Sequence, residues 1–156
     1  MKSTKTRLAG WVIALIIAFV GTWEGLRTTA YSDIVGVPTI CYGETKGVKM
    51  GDTATKAECD TILIQSLRRH ETGMRRCLKY PDKIPIKTYI AFVSLTYNVG
   101  TGNFCRSTAR RRLDKGDWAG ACKAATWFNR AGGRKVSGLV NRRQAEYKLC
   151  MQGARK

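Results

Sequence analysis

Apolar positions recur at helical spacing through the middle of the chain. Cys59, Ile62, Leu63 and Leu67 repeat every three or four residues, and this period predicts a long helix that runs into the mid-70s. The preceding run Thr55-Lys56-Ala57-Glu58 has the pattern of a capping box, in which the first and last residues bond each other's backbone N–H groups. The helix is therefore expected to begin at about residue 56.

A second helix is predicted after Pro81 and Pro85, which interrupt the pattern. Pro85 suits the first position of a helix, where a backbone N–H is not needed. The apolar residues that follow fall on one stripe: Ile86, Tyr89, Ile90, Val93 and Tyr97. Gly100 and Gly102 are expected to end this helix.

Three further helices are predicted in the last third of the chain, over residues 107–115, 117–128 and 137–152. Ser107 and Asp117 are favourable N-caps, because their side-chain oxygens can accept from the first unpaired backbone N–H groups. The Gly132-Gly133 pair predicts a loop before the last helix, and Gly153 predicts its end.

Residues 24–54 differ from this helical pattern, since glycine and β-branched residues dominate them. We expect a short helix after Glu24 and then a small hairpin or three-stranded sheet. The predicted fold class is therefore α+β, mainly α.

The first 23 residues have the layout of an export signal. A basic run over residues 1–7 precedes a 16-residue stretch, residues 8–23, that carries no charge. As a helix this stretch would reach about 24 Å, short of the ~30 Å hydrocarbon core of a bilayer. Six of its residues are small or weakly polar: Ala9, Gly10, Ala14, Ala18, Gly21 and Thr22. A cleaved signal peptide, a permanent anchor and a retained but releasable anchor all fit this layout.

The composition adds a strong positive charge, which favours a polyanionic partner. The 156 residues include 28 Lys and Arg against 11 Asp and Glu, a formal net charge of +17. Residues 83–156 hold sixteen of the basic residues and three of the acids. Nucleic acid, an anionic membrane and an acidic cell-wall polymer would all be attracted. The length predicts one compact domain and excludes large multidomain enzymes.

Six cysteines are spread along the chain without a C-x-x-C pair: Cys41, Cys59, Cys77, Cys105, Cys122 and Cys150. Metal sites usually combine close cysteine pairs with histidine, and His70 is the single histidine, so we expect no metal site. Disulfides in an oxidising compartment are the better explanation, and buried free thiols are the alternative. The spacing itself does not select a pairing.

Two carboxylates and a threonine in the glycine-rich segment are candidates for chemistry. Glu24 and Asp33 are nine residues apart, and Thr39 follows six residues later. If Glu24 begins a helix and Asp33 lies on the first strand, the two can face each other across a cleft. In glycoside hydrolysis one carboxyl protonates the leaving oxygen, while the other stabilises positive charge or activates water. The spacing alone is not specific, because pairs of acids are common in loops.

The same segment resembles the phage lysozymes (endolysins) of glycoside hydrolase family 24, the T-even and lambdoid phage muramidases. The pattern E-G-x-x-x-x-A-Y-x-D-x-x-G-x-x-T-I-x-Y-G is matched at Glu24, Gly25, Ala30, Tyr31, Asp33, Gly36, Thr39, Ile40, Tyr42 and Gly43. The resemblance continues through residues 55–59, 94–100, 102–104, 107–108 and 138–143, so it covers nearly everything after residue 23.

The resemblance implies a lysozyme-like, two-lobed fold after an anchor segment over residues 1–23. Within the lysozyme domain, 24–156, it implies a small hairpin or sheet lobe over 24–55. A long linking helix over 56–79 and a helical lobe over 80–156 would follow.

The resemblance also implies catalytic roles. Glu24 would protonate the glycosidic oxygen, while Asp33 would stabilise the oxocarbenium charge and, with Thr39, position the attacking water. The T-even members invert the anomeric carbon, which implies carboxylates roughly 6.5–9.5 Å apart. The acid must stay protonated while Asp33 is ionised, so we expect Glu24 in the more apolar surroundings.

By analogy with the family, Asn98, Trp127 and Arg142 would line the sugar cleft. The structural alternatives are a polar residue at a helix end, a core indole and a solvated charge. Glu44 departs from the family, which often has histidine at this position, and we expect this third carboxylate to be exposed and inert.

The resemblance further implies three disulfides: Cys77–Cys105, Cys122–Cys150 and Cys41–Cys59. The first pair is an addition to the family's common set, and the second would join the last two helices.

The N-terminal segment resembles the signal-anchor-release element of some lambdoid endolysins. Such enzymes are exported, wait tethered and inactive in the inner membrane, and are freed into the periplasm when the membrane depolarises. Glu24, one residue beyond the apolar segment, would be held at the lipid interface away from Asp33. Release would let residues 8–23 refold against the domain.

The implied function is hydrolysis of the β-1,4 bond between N-acetylmuramic acid and N-acetylglucosamine in peptidoglycan, for host cell lysis. We expect a monomer without a cofactor that meets the inner membrane through residues 8–23 before release. A lytic transglycosylase-like reaction and a non-catalytic, cationic membrane-disrupting protein are the alternatives. Arg110-Arg111-Arg112 and Arg142-Arg143 suggest nucleic-acid binding, but the export segment, the cysteines and the missing recognition motif argue against it.

Overall fold

The computed structural model describes residues 6–155, which divide into two units: residues 7–66, and residue 6 together with residues 67–155. The chain is mostly helical with a small antiparallel sheet, which confirms the predicted fold class. The elements, in chain order, are α1 (Trp11–Glu24), β1 (Arg27–Ser32), β2 (Pro38–Cys41), α2 (Lys56–Cys77), a 3-10 turn (Pro81–Lys83), α3 (Ile86–Val99), α4 (Thr101–Cys105), α5 (Thr108–Asp114), α6 (Trp118–Ala125), β3 (Arg130–Ala131), β4 (Arg134–Lys135) and α7 (Ser137–Ala154).

Helix α1 ends at Glu24, so the prediction of a short helix after this residue is wrong. Gly25 has φ 73°, a left-handed conformation that favours glycine, and its N–H closes the last turn on Gly21 O at 3.0 Å. A buried apolar stripe begins just before the helix and recurs at every fourth residue: Leu8, Val12, Ile16 and Val20. This stripe is the buried face of α1. No helix within residues 6–155 has the length and apolar character needed to span a membrane.

Strands β1 and β2 form a two-stranded antiparallel sheet, so the hairpin is the correct one of the two predicted alternatives. Tyr31 lies opposite Thr39 in its register. The Cys41–Cys59 disulfide joins the end of β2 to the first turn of α2. The sheet is therefore tied to the helix that follows it.

The capping box at the start of α2 is confirmed. Glu58 N donates to Thr55 Oγ1 at 3.1 Å, and Thr55 N donates to Glu58 Oε2 at 2.8 Å. The helix ends at Cys77, in the predicted region.

Helix α3 is buried on all sides between residues 88 and 96, so the single predicted stripe is too narrow. Its polar residues have internal partners: Ser94 Oγ, for example, donates to Glu146 Oε1 on α7 at 2.8 Å. Pro85 is the N-cap rather than the first helical residue. Because these hydroxyl groups have hydrogen-bond partners inside the protein, the polar residues of α3 are buried and do not mark its exposed side.

Helix α7 begins at Ser137 as predicted, but it continues through Gly153 to Ala154. Gly153 serves close packing instead of helix termination, because a Cβ there would lie 2.7 Å from Thr88 N on α3. The Cys122–Cys150 disulfide joins α6 to α7, and Cys77–Cys105 is also formed. All three disulfides implied by the resemblance are therefore present.

In the shorter helices the predicted N-caps are confirmed, but the predicted end of α6 is not. Ser107 and Asp117 each accept from the backbone N–H three residues later, at 3.1 Å and 2.9 Å. Helix α6 ends at Ala125, earlier than the predicted Phe128. The predicted loop at residues 132–133 is the turn of a hairpin formed by β3 and β4. The residues of these two strands are exposed and lack the alternation of apolar and polar residues that predicts a strand.

Candidate active site

Glu24 lies at the C-terminal end of α1, not at the start of a helix. Val20, one turn earlier, is fully buried, and Glu24 itself is half-buried. Gly25 ends the helix, and the chain enters β1 at Arg27. The position of the Glu24 side chain is therefore set by the packing of α1 and by the glycine that ends it.

Asp33 lies in the turn that follows β1, one residue beyond the strand on which it was expected. Its Oδ1 accepts from Val35 N at 2.9 Å and from Val37 N at 2.8 Å. Its own N–H donates to Val37 O at 3.0 Å. One carboxylate oxygen thus shapes the turn, and Oδ2 takes part in neither of these bonds.

Thr39 lies on β2 with only 4% of its surface exposed. Its hydroxyl donates to Val37 O at 3.0 Å, the carbonyl that also accepts from Asp33 N. Val37 therefore fixes both Asp33 and Thr39 through its main chain. Any residue type at position 37 could make these main-chain contacts, so the sequence did not point to Val37.

The chemistry available to Asp33 and Thr39 follows from these bonds. The Thr39 hydroxyl proton is directed at Val37 O, so its oxygen is left as an acceptor. A carboxylate is also an acceptor. A water placed against both would donate its two hydrogens to them and point a lone pair away, which is the arrangement of an activated nucleophile.

Trp127 lies in the unit formed by residue 6 and residues 67–155, where 55% of its surface is exposed, so it is not a core indole. The Arg112 guanidinium lies 5.4 Å from the centre of its ring. Trp127 lines a surface groove of about 240 Å³, whose polar lining residues are Arg106, Ser107, Thr108 and Arg111. Sequence reasoning named Ser107, Thr108 and Arg111 for other reasons and connected none of the four with Trp127; arginines at positions 106 and 111 flanking two hydroxyl residues were the available signal.

A model of the phage lysozyme family matches residues 21–146, which include all three candidate catalytic residues. The chain belongs to the phage lysozyme family. This membership makes it a lysozyme-type hydrolase and an endolysin, with peptidoglycan as the substrate that the family implies.

Individual phage proteins support the assignment. The SAR-endolysin of Pseudomonas phage phiKMV is 41% identical over 150 residues, covering 93% of this chain and 91% of that protein. A mutant of P22 lysozyme has a TM-score of 0.80 at 29% identity, with 88% of this chain and 96% of that one covered.

The P1 phage endolysin Lyz has a similar fold at lower identity. Its active form has a TM-score of 0.81 at 21% identity, covering 97% of this chain and 86% of that one. Its secreted inactive form has a TM-score of 0.60 at 19% identity, covering 88% and 94%. At these identities the likeness concerns the fold alone.

The other candidates of this phage lysozyme occupy different surroundings. Asn98 is exposed in the last turn of α3. Arg142 is 5% exposed, so it is not a solvated charge, and its Nε lies 3.4 Å from Glu146 Oε1. Arg143 contacts the same carboxylate at 2.7 Å. A buried acid therefore holds two adjacent arginines on α7.

Glu44, the departure from the family pattern, has a structural role in its own turn. Its Oε1 accepts from Thr45 N at 3.0 Å and from Lys46 N at 2.9 Å. The residue is half-buried rather than fully exposed as expected. An acid at this position satisfies two backbone donors.

Proposed function

We propose that this endolysin hydrolyses the β-1,4 bond between N-acetylmuramic acid and N-acetylglucosamine with inversion at the anomeric carbon. Glu24 is the proton donor, and Asp33 with Thr39 holds the attacking water. The observation that carries the proposal is the pair of bonds to Val37, because they fix Asp33 and Thr39 together and leave the Thr39 oxygen as an acceptor.

The proposed reaction is a single displacement. The water donates one hydrogen to Thr39 Oγ1 and the other to the Asp33 carboxylate, and its lone pair attacks the anomeric carbon. Glu24 transfers its proton to the glycosidic oxygen as the bond to that oxygen breaks. Asp33 takes up the proton that the water loses, and exchange with solvent returns both carboxyls to their starting states. A water between the two carboxyls requires a separation of roughly 6.5–9.5 Å.

The groove beside Trp127 is the proposed contact for the glycan strand. An exposed indole offers a flat apolar face to a sugar ring, and the guanidinium groups of Arg106 and Arg111 can bind carboxylates of the attached peptides. Asn98 and Arg142 are proposed as further contacts by the family analogy.

Membrane tethering and release is the proposed control of this activity. The relative from phage phiKMV carries the name SAR-endolysin, and the fold is more similar to the active form of P1 Lyz than to its inactive form. While residues 8–23 are held in the inner membrane, Glu24 is kept from Asp33. After release residues 11–23 of this segment form α1 together with Glu24, and the enzyme acts in the periplasm.

The test is the conservative variant Glu24→Gln, assayed on purified peptidoglycan by loss of turbidity and by product analysis. The wild-type enzyme should release reducing ends whose first anomer is inverted in proton NMR, and the variant should release none. A variant that still clears peptidoglycan overturns the role of Glu24. Anhydro products from the wild-type enzyme indicate a transglycosylase instead.

A further inference from the structure

Tyr42 contacts helix α1 less than one turn before Glu24. A Cβ built on Gly21 would lie 3.2 Å from Tyr42 Cε1, so the edge of the ring meets the helix backbone itself. The tyrosine is 6% exposed. Because 3.6 residues make one helical turn, a contact at Gly21 bears on the turn that carries Glu24.

The ring of Tyr42 is held in place from the opposite end. Its hydroxyl donates to Asp60 Oδ1 at 2.5 Å, and Lys56 Nζ lies 2.7 Å from Asp60 Oδ2. Burial and the bond to Asp60 raise the pKa of Tyr42 to about 12, so the hydroxyl keeps its proton at neutral pH and remains a donor. The Cys41–Cys59 disulfide also fixes the residues adjacent to Tyr42 and Asp60.

A groove borders the ring of Tyr42 on one side. It has a volume of about 700 Å³ and is lined by one face of α1 together with Tyr42, Lys56 and Asp60. Dense packing therefore does not enclose the ring on this side. The bond from the hydroxyl to Asp60 is what restrains it there.

We propose that Tyr42 is a positioning residue for the proton donor: held by Asp60, its ring sets the height and rotation of the last turn of α1 and thereby places Glu24. The inference rests on the proposed role of Glu24. The buried stripe of α1 is apolar, and because hydrophobic packing is not directional it does not by itself fix the height or rotation of the helix. The ring of Tyr42, held by Asp60, adds a contact at Gly21 that fixes this position.

The consequence is that two distant changes should impair catalysis in the same way. Tyr42→Phe keeps the ring but frees it from Asp60. Gly21→Ala brings a methyl group to 3.2 Å from a ring that the bond to Asp60 holds in place, so the helix has to shift. Both displace Glu24 by a fraction of an ångström, and a displacement of about 1 Å can cost a factor of about 100 in rate. We expect kcat to fall about tenfold in each variant, with KM within about twofold of the wild-type value.

The double variant distinguishes positioning from simple destabilisation. In the Tyr42→Phe background the freed ring can give way to the added methyl group, so Gly21→Ala should cost less than it does alone, a non-additivity expected for residues in contact. Tyr80→Phe removes a hydroxyl from an exposed tyrosine, and Gly138→Ala adds a methyl group in a helix where nothing lies within 4 Å. Both controls should keep the wild-type kcat.

Steady-state kinetics on solubilised peptidoglycan fragments, with melting temperatures measured beside them, test the inference. Wild-type kcat in Tyr42→Phe and Gly21→Ala, additive losses in the double variant, or losses that only follow the unfolded fraction each overturn it. Glu24→Gln is measured in the same series. If that variant is active the proposed function fails, whereas an inactive Glu24→Gln beside fully active Tyr42 and Gly21 variants overturns the positioning role alone.

Discussion

Two substitutions at Asp33 separate its structural role from its catalytic one. Asn keeps a carbonyl oxygen that can accept from Val35 N and Val37 N, as Oδ1 does, but it removes the negative charge. Ala removes both the acceptor and the charge. We therefore expect Asp33→Asn to lose activity with little loss of stability, and Asp33→Ala to lose both.

The size of each effect follows from the contacts. A hydrogen bond contributes about 0.5–1.5 kcal/mol to stability, and water can replace the lost acceptor in this exposed turn. Asp33→Ala should therefore lower the free energy of unfolding by about 1–2 kcal/mol, and Asp33→Asn by less than about 0.5 kcal/mol. Loss of a group that stabilises transition-state charge costs a factor of about 100 to 1,000 in kcat, which we expect for both variants.

Urea unfolding measures the stability of the two variants, and release of reducing ends from purified peptidoglycan measures their activity. Asp33→Asn within about tenfold of the wild-type rate would refute the assignment of Asp33 as the catalytic carboxylate. Equal stability of the two variants would show that the turn does not depend on Oδ1. The catalytic role of Asp33 and its role in the turn are therefore tested independently.

Two further predictions concern helix packing and the N-terminal segment. Gly153→Ala should lower the free energy of unfolding by roughly 1–3 kcal/mol, because the added Cβ would lie 2.7 Å from Thr88 N, whereas Gly138→Ala in the same helix should raise it by about 0.5–1 kcal/mol. Urea midpoints that shift in the same direction would contradict this packing argument. Under the proposed control, the full chain should fractionate with the inner membrane before an uncoupler is added and with the periplasm afterwards, at unchanged mass; an enzyme that is always soluble, or cleaved near residue 23, would contradict the proposal.

Local chemistry explains which elements the sequence could predict. The caps at Thr55, Ser107 and Asp117 involve a side chain and a backbone group only three residues away, so their pattern is visible in the sequence. Buried Ser94 of α3 is satisfied by Glu146, 52 positions later in the chain, a contact that no local pattern contains. Gly153 was predicted to end α7 for the same reason, because its neighbour Thr88 is distant in sequence.

The family pattern proposes catalytic residues in the sequence, but it does not describe their setting. Glu24, Asp33 and Thr39 are proposed from that pattern, and all three lie within the residues 21–146 that the family model matches. The pattern does not reveal that Val37 binds two of them through its backbone, since any residue supplies the same groups. Glu24 was expected to begin a helix but ends one. A glycine such as Gly25 occurs at either end of a helix, so the sequence did not distinguish the two.

The buried and exposed faces of helix α1 differ in the size of their side chains. Its bulky stripe, from Leu8 to Val20 at every fourth residue, is buried in the folded unit. Five of the six small or weakly polar residues of the segment are exposed instead: Ala9, Gly10, Ala14, Ala18 and Thr22. Trp11, of which 63% is exposed, is a large apolar residue in the same helix, but the small side chains present little apolar area to water, so their exposure costs less than that of leucine or isoleucine would. The sixth, Gly21, meets Tyr42, where a larger side chain would not fit without movement. Under the proposed release, the composition that lets the segment leave the membrane also lets it fold with one face in water and one against the protein.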